Sequence, residues 1–408
     1  MSNIIIIGAG PAGLTAGIAA AEKLQKQRRN GFVTILERNS RAGKKFLITG
    51  SGQCNITRGG LITGFLKNYG GSQKERFVKP ALFNFDNAAV IRFFEDNGVP
   101  LWEREDGKMF PRSLKAADLL DVFLNKFSES GGVIETDTKA ETIRKTETGF
   151  VLETNHGTKT ADKIILAAGG SSYPATGSDG SGFALAEQLG HRIVPPKPAL
   201  TPVYVRDYPF TDCAGISFEN ITFRIKRNGK LVVLSGGTVL LTHHGLSGPG
   251  ILNASRCIEP DDVMFLELSK EGRNIQQFLS GRKTVKNALH PLNLPEHFLE
   301  VLLTVCGIMP DKPVAEILRE ERKIIETALT ACPFTVEKLG DWNEAKATAG
   351  GVALEEVNRQ TMESRVIPNL FFCGEVLDID GDTGGYNLQF ALSSGFLAGE
   401  KAAKQSGN

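Results

Sequence analysis

Ile4-Ile5-Ile6-Ile7-Gly8-Ala9-Gly10-Pro11-Ala12-Gly13, near the start of the chain, is the stretch whose reading decides the fold. Four consecutive β-branched apolar residues specify a short strand buried on both faces. The strand ends in Gly-x-Gly-x-x-Gly, and residues 14–21 then read as a helix of small, close-packing residues. A second apolar strand, 32–36, closes on Glu37, which lies 24 residues after Gly13. Each part has a job in a dinucleotide-binding βαβ unit. Gly8 permits a tight turn, Gly10 lets the backbone approach a pyrophosphate, and Gly13 lets helix and strand pack closely. The anion rests on unpaired N–H groups at the positive end of the helix. Glu37 accepts hydrogen bonds from a ribose and repels a 2′-phosphate, which favours an unphosphorylated adenosine. A glycine-rich turn by itself is a weak signal, and the strand, helix, second strand and acidic terminus together make it specific.

Downstream of Glu37, residues 41–57 are rich in glycine, small polar and basic side chains, among them Lys44, Lys45, Ser51, Gly52 and Asn55. Such a loop wraps a phosphate or planar ring with backbone N–H groups and lysine charge. Cys54 lies in it with no cysteine close in sequence to resolve a disulfide, so a packed thiol is the simpler reading beside a redox one. The six cysteines are scattered without a C-x-x-C pair, which argues against a zinc site and a dithiol relay. No metal site is expected.

A length of 408 residues calls for two or three domains. With 41% hydrophobic and 23% charged residues and a formal net charge of +1, the composition is that of an ordinary soluble protein. Near-neutrality argues against a nucleic-acid partner. The run 4–7 is too short to span a bilayer, and no basic stretch marks it as a secretion signal. A cytoplasmic protein with free thiols, a small-molecule substrate and no membrane partner is expected; no oligomeric state is legible.

Along the chain, residues 59–80 read as a polar, Gly-rich surface excursion, and 88–97 and 116–130 as amphipathic helices. Residues 133–160 alternate as an antiparallel meander. A buried strand over 161–167 runs into Ala168, Gly169 and a glycine-rich loop, followed by a helix at 183–189. Pro195–Pro198 is a stiff crossing into a second domain. Strands are expected at 201–205, 221–227, 231–234, 239–242 and 264–268, forming a small antiparallel sheet or barrel. From 274 to 331 the period is helical, with proline starts at Pro295 and Pro313. The C-terminal stretch repeats the strand–glycine–helix pattern of the start. A strand at 370–373 meets Gly374 and Glu375, and a glycine loop through Gly385, Tyr386, Asn387 and Leu388 feeds a helix over 390–404. That helix start is a second anion or dipole site. The fold class is therefore α/β, with a discontinuous Rossmann-like domain (1–194 and 347–408) interrupted by an antiparallel β domain (195–268, with a return strand in 333–346) and a helical insert (269–332).

The first forty residues resemble the FAD signature of the glutathione-reductase-like flavoproteins. Four further stretches, 43–57, 169–177, 241–249 and 374–389, together with 347–352, resemble one bacterial family within it, the BaiN-like (YhiN-like) NAD(P)/FAD-dependent oxidoreductases. The resemblance implies an FAD cofactor. Gly8, Gly10, Gly13, Glu37 and Arg38 would hold its adenosine pyrophosphate half, and Lys45, Ser51, Gly52 and Asn55 would line its middle, with Pro11, Ala12, Lys44, Cys54, Ala168 and Gly169 as further cofactor-binding candidates. Gly374 and Glu375 would meet the ribityl and pyrophosphate. Gly385, Tyr386, Asn387 and Leu388 would bring N–H groups to the flavin pyrimidine, where a helix N-terminus stabilises the charge of the reduced ring. The chain departs from the family pattern at Gln53, where an arginine is usual, and at His244, where an aromatic residue is usual.

Three functions are open at this point. The first is a reductase moving hydride from a transient NAD(P)H through flavin N5 to a small organic acceptor. The second is a flavin oxidase of a small amine that uses O2. The third is a non-catalytic FAD-binding redox sensor or scaffold. His243, His244 and Ser247 are the candidate catalytic groups, since imidazole titrates near neutral pH. A structural histidine at a domain junction is the competing reading, and alternation along a strand would let only one of the pair reach a ring.

Overall fold

The computed structural model describes residues 2–404. Two compact units emerge: residues up to Pro198 with those from Lys346 onward, and Ala199–Ala345.

In the first unit, β1 (Ser2–Ile7) lies inside a seven-stranded sheet. It pairs in parallel with β2 (Gly31–Leu36) on one side and with Lys163–Leu166 on the other. Val133–Glu135 and Leu370–Phe372 extend the parallel core outward, and the short hairpin Val357–Asn358/Glu363–Ser364 adds an antiparallel edge. Ile4–Ile7 are all buried, as strands covered on both faces require. Helix α1 (Pro11–Lys26) returns the chain from β1 to β2 and packs along the C-terminal helix, Tyr386–Ala402. A Cβ at Gly395 would lie 2.3 Å from the Ala12 carbonyl oxygen, and one at Gly399 2.2 Å from that of Ala16. The two helices thus touch backbone to backbone, which explains why α1 is built of alanine and glycine.

Four expectations are corrected. Residues 59–80 are not a loose excursion: a short helical stretch, Ile62–Tyr69, and a helix, Ser72–Asn84, bury Phe65, Tyr69, Phe77 and Val78. The Pro195–Pro198 segment is itself part of a strand, Ile193–Ala199, paired with Ala347–Val352 in a two-stranded sheet. Proline is tolerated there because each strand of such a pair is an edge. The C-terminal helix starts at Tyr386 rather than near 390, one turn earlier. Its cap, Gly385, has φ +99°, a conformation open to glycine, so the glycine loop leads straight into the helix.

The fourth correction concerns the second unit. Residues 231–234 and 239–242 belong to one strand, Lys230–Leu241, because Ser235, Gly236 and Gly237 pair with Phe223, Thr222 and Ile221 instead of breaking it. This strand, Ser217–Arg227, Gly245–Ser247, Val203–Val205, Cys332–Leu339 and Val263–Glu267 close an antiparallel six-stranded barrel. The helices Glu296–Val305 and Arg319–Thr330 share the barrel's core through Phe298, Leu302 and Ile325. Among the described residues no helix is long and apolar enough to cross a membrane.

Candidate cofactor and active site

A cavity of about 220 Å³ opens at the carboxyl ends of β1, β2 and Lys163–Leu166, entirely within the first unit. Doubly wound sheets bind ligands at this edge, where strands hand over to helix N-termini. Gly8 makes the turn out of β1 with φ +102°. A Cβ on Gly13 would lie 1.9 Å from the Gly8 carbonyl oxygen, so helix and strand meet with no room for a side chain. A Cβ on Gly10 would meet nothing within 4 Å, and Gly10 lines the cavity. The three glycines therefore serve a turn, an open approach and a close packing.

Two helix N-termini serve this cavity. Neither α1 nor the C-terminal helix has a side-chain cap or an acidic residue in its first turn. Pro11 and Ala12 from one, and Asn387 and Leu388 from the other, line the cavity. Uncapped N–H groups and the positive dipole ends leave anion- and carbonyl-binding capacity there. Asn387 is fixed by its amide, which accepts from Gly381 N at 2.8 Å and donates to Gly381 O at 2.9 Å. The Tyr386 ring turns into a cluster with Phe65 and Tyr69, and the Tyr69 hydroxyl donates to the Tyr386 carbonyl at 2.8 Å.

Glu37 is buried at the end of β2. It accepts from Ala9 N at 3.0 Å and from the main-chain and side-chain N–H groups of Asn39 at 2.8 and 2.7 Å. Arg38 pairs with Asp179 at 2.6 Å, and that guanidinium holds the Asp179 carboxyl below its usual range despite partial burial. Lys44 reaches Asn39 Oδ1 at 3.3 Å. In the middle of the cavity wall Lys45 Nζ donates to Glu375 at 2.7 Å and to Ser172 Oγ at 2.6 Å. Glu375 also accepts from Thr348 N at 2.7 Å, and Thr348 Oγ1 accepts from Ser171 N at 2.8 Å. Ala168, Gly169, Lys139 and Lys346 complete the wall.

The structure thus brings Gly8, Gly10, Pro11, Ala12, Glu37, Arg38, Lys44, Lys45, Ala168, Gly169, Glu375, Asn387 and Leu388 around one space. Gly13, Gly374, Gly385 and Tyr386 do not line it. Ser51, Gly52, Cys54 and Asn55 lie in a loop off the cavity in which Gly50, Ser51, Gly52 and Cys54 all have positive φ. Cys54 is fully buried, and burial pushes its thiol up to about 12, which keeps it protonated. The Asn55 side-chain oxygen is buried without a partner.

Ser172, Thr348 and Lys74 are functional candidates that the sequence pattern does not single out. Lys74 pairs with Asp378 at 3.0 Å and Asp380 at 2.7 Å, next to the cavity-lining Ile379. Thr348 sits in the 347–352 motif and Ser172 in the 169–177 motif, the sole sequence signal for either.

His243 and His244 occupy a tight turn in the second unit, where Thr242 N donates to Gly245 O at 2.9 Å. They are not on a strand, so strand alternation does not separate them. Both are exposed, their ring centroids are 6.4 Å apart, and His244 stacks on Tyr204. Ser247 lies on the strand after that turn.

Residues 2–401 match the family described as HI0933-like protein Rossmann domain. A 3-dehydro-bile acid delta(4,6)-reductase of Clostridium scindens is 31% identical, with 99% of this chain and 100% of that protein aligned. A ribosomal RNA dihydrouridine synthase of Escherichia coli is 30% identical over 99% of both chains. Among solved structures, a 3-ketosteroid-delta4-(5alpha)-dehydrogenase of Rhodococcus jostii is 16% identical, over 99% of this chain and 97% of that one, with a TM-score of 0.48.

Proposed function

The chain belongs to the HI0933-like Rossmann family and is a flavin-dependent oxidoreductase, and from that premise we propose that it reduces a carbon–carbon double bond conjugated to a carbonyl. The observation that carries the flavin part of this reading is the cavity between two uncapped helix N-termini at the carboxyl edge of the parallel sheet. Its residues fit FAD. Gly10 leaves a cradle that a Cβ would fill, and Glu37 follows β2 where a ribose is held.

When bound, FAD supplies hydride transfer through its N5. The N–H groups at the start of α1 hold the pyrophosphate, and Glu37 holds the adenosine ribose. Lys45 and Glu375 position the ribityl chain, with Ser172 and Thr348 fixing their geometry. The N–H groups at Asn387 and Leu388 stabilise negative charge on the pyrimidine end. His243, with His244 and Ser247 as alternatives, delivers the proton that accompanies the hydride.

The substrate class follows from what the relatives' names share. A delta(4,6)-reductase of a 3-dehydro compound and a dihydrouridine synthase both add a hydride and a proton across a double bond beside a carbonyl. We take the donor to be NADH or NADPH, docking transiently. The near-zero net charge favours a small acceptor, with a uracil base in RNA as the competitor. Anaerobic mixing of holoprotein with NADH or NADPH should bleach the flavin, and a conjugated enone should restore its colour. Absence of bleaching with either nucleotide, together with rapid oxygen-dependent turnover of an amine, would replace this reading with the oxidase.

A further inference from the structure

A second charged surface lies in the first unit outside the cofactor cavity. A small sheet places Lys108–Pro111 between Thr57–Arg58 and Leu101–Glu103. In its register Arg58 stands opposite Lys108, and Arg104 N donates to Lys108 O at 2.9 Å, carrying the ladder one residue further. Arg58, Lys108 and Arg104 therefore form a row across three strands, and residues opposite one another share a face. Like charges so placed repel and destabilise a sheet unless something compensates them.

Compensation within the protein is partial. Lys108 pairs with Asp106 at 2.6 Å. Among the described residues neither the Arg58 nor the Arg104 guanidinium has a carboxylate within ion-pair distance, although both residues are half-buried. Arg104 lies 4.2 Å from the Phe110 ring centroid and 5.9 Å from that of Trp102, and its Nη2 reaches Gln53 Oε1 at 3.5 Å. The Arg58 guanidinium lies 3.1 Å from where a Cβ would stand on Gly107 and 3.3 Å from one on Gly384. Gly384 immediately precedes the cap of the C-terminal helix. These two guanidiniums and a helix N-terminus without an acidic first turn thus add positive potential on one side of the Gly385–Leu388 turn, offset in part by Asp106, whose carboxylate feels the Arg104 charge. None of Arg58, Arg104 and Trp102 lines the cofactor cavity.

We propose that this face, Arg58 and Arg104 beside Trp102 and Gln53, binds an oxyanion carried by the acceptor, so that the acceptor is an anion. The forked guanidinium matches carboxylate and phosphate alike, and a half-buried aromatic ring beside it suits a planar ligand. The inference rests on the proposed reduction, because it assigns the site to that reaction's acceptor. The oxyanion can be the carboxylate of a small acid or the phosphate of a nucleotide, and the test separates them.

Binding to oxidised, FAD-loaded protein, with no turnover, is measured for two pairs of probes. One pair is a 3-oxo-delta4 steroid carboxylic acid and its methyl ester; the other is a uridine trinucleotide and uridine. In the wild type the charged member of one pair should bind at least about tenfold more tightly than its neutral partner, and the pair that does so identifies the source. Arg58→Gln and Arg104→Gln should each erase most of that preference, and Arg58→Lys should restore part of it. Melting temperature and FAD content confirm that the variants are folded. Equal binding within both pairs, no binding by any probe, or a preference that survives both glutamine variants overturns the site. If no probe reoxidises reduced wild-type flavin, the proposed reaction fails while the binding ratios still judge the anion site.

Discussion

The two units solve the same problem, covering the polar backbone of a sheet, in opposite ways. In the first the core strands of the large sheet run parallel, so each must be followed by a crossover, and helix N-termini gather at one edge with N–H groups unspent. The result is a cavity of about 220 Å³ at that edge. In the second the strands alternate and the sheet closes on itself through Val203 and Leu339. Its interior is filled by Phe223, Met264, Leu266, Phe334 and Val336, each no more than 2% exposed. A small closed barrel spends its interior on packing. The open parallel edge is therefore where a cofactor finds room, and the barrel has only its surface turns to offer.

The sharpest way to break this contrast uses one glycine from each unit. A Cβ at Gly13 would lie 1.9 Å from a carbonyl oxygen of the cofactor turn, and one at Gly245 2.1 Å from the Val203 carbonyl oxygen in the barrel. Overpacking costs about 1–3 kcal/mol in either place. Gly13→Ala should lower FAD affinity by up to about a hundredfold, on the scale of about 1.4 kcal/mol per tenfold. Gly245→Ala should lower the melting temperature while FAD stays stoichiometric. Equal loss of FAD from both variants would mean that the units do not divide the work in this way.

The second test probes the turn of the barrel unit. His243→Ala should slow flavin turnover about a hundredfold if the imidazole moves a proton, with FAD content kept. Unchanged turnover would leave the histidine pair a structural feature of the turn. Third, Glu37→Ala should weaken FAD retention. A lost charged acceptor is worth about 1.5–3 kcal/mol, or about tenfold to a hundredfold in affinity. Titration of apoprotein with FAD measures it, and an unchanged dissociation constant would remove Glu37 from the ribose site.

The smallest effect concerns thiols. Burial holds the Cys54 thiol at about 12, so it carries almost no thiolate near neutral pH, whereas Cys257 in the other unit is exposed. Iodoacetamide at mildly alkaline pH should label Cys257 in the native protein and reach Cys54 only on unfolding, read by peptide mass. Rapid labelling of Cys54 would make it a reactive residue after all.

What was legible in the sequence follows from how local each signal is. The first unit's core could be read because Ile4–Ile7 lie between parallel neighbours, so the apolar run is continuous. Glu37 could be read because its spacing from Gly13 is fixed by one helix and one strand. The docking of residues 62–84 was hidden because Phe65, Tyr69 and Phe77 are scattered among polar residues, and Phe65 and Tyr69 find Tyr386 at the far end of the chain. Ser235–Gly237 reads as a break because glycine weakens a strand, yet pairing to Ile221–Phe223 carries the chain through. The Lys45–Glu375–Ser172 network joins three separate motifs, and no spacing rule within any one of them encodes it.

The central claim is that the parallel edge of the first unit holds one FAD between two helix N-termini. The measurement that tests it most directly is the amount and identity of flavin released by heat or acid from the purified protein, checked by reconstitution of the apoprotein. Non-covalent FAD at close to one per chain, rebinding to apoprotein with restoration of the yellow spectrum, is the expected result. FMN alone, or an apoprotein that takes up no flavin, would contradict the claim.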